Sequence, residues 1–219
     1  MKNADRKKDK IILFDLDGTL IDSTEAILES FTVAFDVCGG KVPEATRIKA
    51  GIGYPLDTMF TLLGVENEDI EKYIQVYRQQ YRAIHTAKTR LLPYAREAIS
   101  LAYEKAYLGV VTTKTGFYSI ELLEHMGLMH YFDVLVGREH VTYPKPNPEP
   151  IEKALLQLPK VTSGIWMIGD TCMDMESAMR ANIESIAVLC GYGSEELLMK
   201  CSNKIYQNAY EAIQFIAKK

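Results

Sequence analysis

The chain has no CxxC pair, and its four cysteines, Cys38, Cys172, Cys190 and Cys201, show no zinc-like spacing with the four histidines. They read as reduced, mostly buried thiols of a cytoplasmic protein. No apolar run approaches a membrane span. The run that follows the charged stretch Met1 to Lys10 ends at Asp15, too short for the apolar region of a signal peptide. The basic tail itself reads as a solvated end. Excess positive charge is missing too: the 219 residues carry a formal net charge of −4. Neither a nucleic-acid surface nor an anionic-membrane surface is therefore expected, and an anionic substrate needs local compensation from a metal or a few placed cations. Repeats and low-complexity tracts are also absent. What is present is an ordinary globular balance, 25% charged and 47% hydrophobic, long enough to bury a substantial core.

Ile11-Ile12-Leu13-Phe14 is a continuous apolar run, the pattern of a strand covered on both faces. Similar runs recur at Leu108 to Val111, Val134 to Val136, Ile165 to Ile168 and Ile186 to Leu189, with segments of helical period between the last four. This rhythm predicts an α/β fold, a Rossmann-like parallel sheet with helices on both faces. Residues 23–91 break it. Ile27, Phe31, Ala34 and Phe35 form one helical stripe, and Ile70, Tyr73, Ile74, Tyr77, Tyr81 and Ile84 a second, longer one. Asp22 and Glu25 are spaced like a capping box at the start of the first. The expected organisation is a core of 1–22 and 92–219 with an inserted all-helical domain at 23–91.

Phe14-Asp15-Leu16-Asp17-Gly18-Thr19-Leu20 follows directly on the first strand. In extended geometry Asp15 and Asp17 project to the same side, about 6.6 Å apart along the chain. Two like charges at a strand's carboxyl end need a cation or a shared proton. Gly18 permits a sharp turn, and Thr19 can bond to its backbone. A second acidic group, Gly169-Asp170-Thr171 with Asp174, follows the fourth run. Neighbouring strands would bring Asp15, Asp17 and Asp170 into an all-oxygen cluster of the kind Mg²⁺ prefers. Thr112 ends the second core strand, where its hydroxyl can donate to a phosphoryl oxygen or cap the next helix. Tyr143-Pro144-Lys145-Pro146-Asn147-Pro148 flanks one lysine with prolines, which hold it in place against developing phosphoryl charge.

The four segments DLDGT, a strand ending in Thr, Lys in KPNP, and GDTxxD resemble the haloacid dehalogenase superfamily, from about Ile11 to the C-terminus. The helical insert resembles the C1-type cap of its phosphoglycolate-phosphatase-like branch. The resemblance implies a Mg²⁺-dependent phosphatase of the cytoplasm that hydrolyses a small phosphorylated metabolite through an aspartyl-phosphate. Asp15 would be the nucleophile and Asp17 the acid/base. Thr112 and Lys145 would bind the phosphoryl oxygens. Asp15 and Asp170 would hold the metal by their side chains and Asp17 by its backbone carbonyl, with Asp174 orienting the metal shell or Lys145. The superfamily's dehalogenases lack the second aspartate, so Asp17 favours phosphoryl chemistry.

Alternatives are an inorganic pyrophosphatase, a β-phosphoglucomutase-like phosphomutase or, lower in rank, a non-catalytic regulatory module. The expected partner is a small-molecule substrate, with the chain a monomer or homodimer. Arg47, Lys49, Arg78 and Arg82 are insert cations able to meet a substrate carboxylate or second phosphate, and most of them read as solvated helix residues. Where the family usually has Ala-Gly after its last motif, this chain has Ala181-Asn182, and asparagine tolerates the left-handed turn required there.

Overall fold

The alternation of side chains along one strand organises the core. Across β1 (Lys10–Phe14), Ile12 and Phe14 pack into one hydrophobic cluster while Ile11 and Leu13 pack into another, on the opposite face. All four are buried, which is why the run reads as continuously apolar. The structure is a computed structural model describing residues 8–219, so residues 1–7 of the basic tail lie outside it.

From β1 the chain passes through the short β2 (Ile21–Asp22) into four helices. These are α1 (Thr24–Cys38), α2 (Ala45–Ala50), α3 (Leu56–Leu62) and α4 (Ile70–Ile84). It returns through β3 (Arg90–Leu91), antiparallel to β2. Then follow α5 (Ala95–Tyr103), β4 (Ala106–Val111), α6 (Gly116–His125), β5 (Val134–Val136) and α7 (Glu149–Leu156). The last elements are β6 (Ile165–Gly169), α8 (Cys172–Arg180), β7 (Glu184–Val188), α9 (Glu195–Cys201), β8 (Ile205–Tyr206) and α10 (Ala209–Ile216).

Six strands form one parallel sheet in the order β5-β4-β1-β6-β7-β8. Helices α5, α6 and α10 cover the face of Ile12 and Phe14, and α7 and α8 cover the other. The chain order reverses on either side of β1. In open α/β sheets, ligands bind in the crevice that such a reversal opens at the strands' carboxyl ends. Register pairs Phe14 with both Val110 and Ile168, so the residues after β1, β4 and β6 emerge at one level.

The four helices between β2 and β3 bury a separate cluster, with Phe31 and Phe60 at 4.7 Å and Phe31 and Tyr77 at 4.9 Å between ring centroids. The stripe Tyr73, Ile74, Tyr77 and Tyr81 is the buried face of α4. Asn182 has φ 56°, the left-handed turn that ends α8.

Three sequence expectations need correction. The N-cap of α1 is Ser23, without a side-chain cap, and Asp22 accepts instead from the Thr24 amide at 2.9 Å. Glu25 points to Lys88 at 3.0 Å, so the residues spaced as a capping box do not form one. The two-residue strands β2, β3 and β8 are too short to leave an apolar run. Cys172 and Cys201 are joined in a disulfide, and only Cys38 and Cys190 are free, each half-buried. The two sulfurs meet because α9 packs back across the start of α8, which spacing in sequence does not reveal. The expectation of unpaired thiols in a reducing compartment loses its basis at this pair.

Candidate active site

Asp15 is the first residue beyond β1, and its amide is held by the Ile168 carbonyl at 2.8 Å. Its carboxylate is almost fully buried. The chain then turns through Gly18, whose φ of +85° is open to glycine, and a β-carbon there would overlap the Asp170 carboxylate. Thr19 sends its hydroxyl to Asp170 Oδ1 at 3.1 Å, across the strand gap rather than to the turn backbone. The Tyr192 amide donates to Asp170 Oδ2 at 2.7 Å. Asp170 is thus fixed from both sides, with Gly191 leaving room for its carboxylate.

Lys145 binds the cluster together. Its Nζ lies 2.8 Å from Asp15 Oδ1, 2.6 Å from Asp174 Oδ1 and 2.9 Å from the Val111 carbonyl, and the residue is 4% exposed. Several bonds hold its loop. Ser177 and Arg180 of α8 donate to the Asn147 and Pro146 carbonyls at 2.8 and 2.9 Å. Glu149 accepts from the Thr142 and Tyr143 amides at 3.0 and 2.7 Å. The Lys145–Pro146 peptide bond is cis. Asp174 spends its other oxygen on the Thr171 amide and hydroxyl, at 3.0 and 2.7 Å, closing the first turn of α8.

Burial sets the electrostatics. Desolvation drives the Asp15 carboxyl up to about 7, against the pull of Lys145 and with the help of Asp174. Desolvation also raises Asp170 well above the carboxylate range, and the charges of Asp15 and Asp174 add to it. For Lys145, burial opposes the charge but Asp15 and Asp174 outweigh it, so the ammonium is held more strongly than in water. Oxygens of Asp15, Asp170 and Asp174 lie within 4.8 Å of one another. Three carboxylates against one lysine leave a site short of positive charge, built wholly of oxygen donors. A hard divalent cation fits that donor set.

Asp17 takes a different direction. Its carboxylate accepts from Ser23 Oγ and pairs with Lys114 Nζ at 3.0 Å, both side chains nearly buried. Burial opposes the Lys114 charge, but Asp17 and then Tyr81 raise its pKa well above normal. Thr112 is buried just past β4, and its Oγ1 accepts from the Lys114 amide at 3.1 Å. Asp17 and Lys114 line a cavity of about 880 Å³ between the helical segment and the sheet's carboxyl edge.

A haloacid dehalogenase-like hydrolase family model matches residues 12–188, more than half of the chain. The chain belongs to this family. Among similar proteins of this family, the pyrophosphatase PpaX of Halalkalibacterium halodurans is 34% identical over 81% of this chain and 82% of its own. The phosphoglycolate phosphatase of Aquifex aeolicus is 30% identical over 84% and 86%. The crystal structure of a predicted phosphatase from Clostridium acetobutylicum superposes with a TM-score of 0.87 at 28% identity, covering 97% of this chain and all of that one.

Within this hydrolase, Asp15, Asp170, Asp174 and Lys145 converge on one crevice, with Thr112 buried just past β4, whereas the Asp17 side chain points toward the cavity. Sequence reasoning passed over Ser23 and Lys114. Lys114 stood two residues beyond Thr112 in the same strand-end motif, which was its one signal; Ser23 had none.

Proposed function

We propose that this haloacid dehalogenase-like hydrolase is a Mg²⁺-dependent phosphatase that cleaves a small phosphorylated metabolite through an aspartyl-phosphate on Asp15. The observation that carries the reading is the Asp15 carboxylate at the end of the central strand, joined to Lys145 and within reach of Asp170. In the first step an Asp15 oxygen bonds to phosphorus as the bond to the leaving oxygen breaks, and Asp17 gives that oxygen its proton. In the second, Asp17 takes a proton from water, the water oxygen bonds to phosphorus, and the Asp15–phosphorus bond breaks to release phosphate. Lys145 and Thr112 hold phosphoryl oxygens throughout, and Asp174 keeps Lys145 aimed. Asp15 and Asp170 would hold Mg²⁺ by their side chains and Asp17 by its carbonyl, and the ion when bound supplies positive charge against the phosphoryl group. Helices α1–α4 act as the cap that excludes water. The partner is a small molecule, the protein working as a monomer or homodimer.

A pyrophosphatase is the second reading, favoured by the likeness to PpaX. Phosphate release measured with Mg²⁺ over phosphoglycolate, pyrophosphate and sugar phosphates tests both. Asp15→Asn is expected to abolish release while the far-ultraviolet circular dichroism stays that of wild type; near-normal release would remove Asp15 as nucleophile. EDTA is expected to stop turnover and Mg²⁺ to restore it.

A further inference from the structure

The 880 Å³ cavity is at the upper end of the roughly 300–1,000 Å³ typical of pockets for drug-sized ligands, far more room than pyrophosphate or phosphoglycolate fills. Its walls are aromatic. Tyr77 and Tyr81 stack with centroids 5.6 Å apart and planes at 9°, Tyr118 stands edge-on to Tyr81 at 5.5 Å, and Phe117 follows at 5.6 Å from Tyr118. This series of rings begins beside the acid/base pair, where Lys114 Nζ lies 4.6 Å from the Tyr81 centroid, and ends at the surface. Phe117 is 52% exposed and Tyr54, from the helical segment, 42%, so neither ring is there to fill the core. The Tyr81 hydroxyl is buried without a well-formed hydrogen bond, beside Lys114 and Ser23. Tyr81 lines the cavity, and its hydroxyl can bond to a polar atom of a ligand there. Of the three cations in the cavity wall, Lys114 is paired with Asp17 and Arg138 donates to the Val141 carbonyl at 3.0 Å; Arg78 has no partner among the described residues.

We infer that the substrates are phosphate monoesters of alcohols that carry a flat, heteroatom-bearing ring. The inference rests on the phosphatase reading and narrows it. The ester oxygen lies at Asp17, polar atoms next to it meet the Tyr81 hydroxyl, and the ring packs on the Tyr118–Phe117 wall with an acceptor toward Arg78. Stacking of this kind tolerates differences in ring identity, so a class of esters rather than one compound is selected.

The test is steady-state phosphate release by the intact protein with Mg²⁺. The ring-bearing probes are uridine 5′-monophosphate, guanosine 5′-monophosphate and pyridoxine 5′-phosphate. The controls are glycerol 3-phosphate, also a primary alkyl ester, and acetyl phosphate, which reports phosphoryl chemistry without a ring. The best ring ester is expected to exceed glycerol 3-phosphate at least tenfold in kcat/KM. Phe117→Ala is expected to lower that value at least fivefold more for the ring ester than for glycerol 3-phosphate. A ratio under ten, or an equal loss for both esters in Phe117→Ala, overturns the inference while acetyl phosphate turnover leaves the phosphatase reading standing. No release from any probe, acetyl phosphate included, removes both.

Discussion

Lys145 illustrates how one side chain sets the behaviour of several others. Its ammonium is, among the described residues, the one cation in direct contact with Asp15 and Asp174, and all three groups are buried. Lys145→Met leaves those carboxylates unpaired away from water, and removing one partner of such a pair costs roughly 3–5 kcal/mol. Urea unfolding is expected to report a loss of that order, with phosphate release falling at least a hundredfold. Asp15 makes the complementary point through pH. Its carboxyl is raised from 3.8 to about 7 in the folded chain. Between those values the native state therefore binds more protons than the unfolded one. Metal-free stability should fall as pH rises through this window, by up to about 1.4 kcal/mol per pH unit for one such group. A cation favours the charged carboxylate, so Mg²⁺ should raise the denaturation midpoint more at pH 8 than at pH 5. Equal stabilisation at both would show that Asp15 does not share its charge with the metal.

At the scale of elements, two devices deliver the groups proposed for catalysis. Strands deliver Asp15, Thr112 and Asp170, because parallel pairing puts the ends of β1, β4 and β6 level. A loop delivers Lys145, and prolines alone do not position it. Glu149 clamps the Thr142 and Tyr143 amides, which, with Lys153, lowers its carboxyl to about 2. A depressed carboxyl stabilises the clamp above its unfolded value near 4.5, and the effect is lost as pH falls toward 2. Glu149→Ala should release the loop, lowering kcat/KM for phosphate release at least threefold and speeding hydrogen exchange at the Thr142 and Tyr143 amides. Unchanged exchange would show that the loop stands without Glu149. The helical segment, for its part, meets the core through a few polar contacts, among them Thr113 Oγ1 to the Gly53 carbonyl at 2.8 Å, the Thr24 and Tyr192 hydroxyls at 3.1 Å, and His85 beside Glu121 at 3.1 Å. Most of its packing is internal, around Phe31, Phe60 and Tyr77.

For the molecule as a whole, the disulfide of Cys172 and Cys201 ties the helix that starts at the acidic motif to the one after β7. Thiol titration of the unfolded, unreduced chain should count two free thiols of the four cysteines; four would remove the pair. No described helix is long and apolar enough to cross a membrane. The architecture was largely legible beforehand because a strand buried on both faces must be apolar at every position, and a helix with one wet face must repeat at 3.6. The two-residue strands lacked the length to leave either pattern. By itself the sequence determined the parallel α/β core, the helical insert, and the placing of Asp15, Asp170 and Thr112 at strand ends and of Lys145 in a proline-bound loop, since these are local features. Only the tertiary structure decided that Asp17 turns to Ser23 and Lys114, that Cys172 meets Cys201, and that aromatic rings from two segments share one cavity. Those outcomes depend on distances between residues far apart in the chain, and periodicity carries no information about such distances.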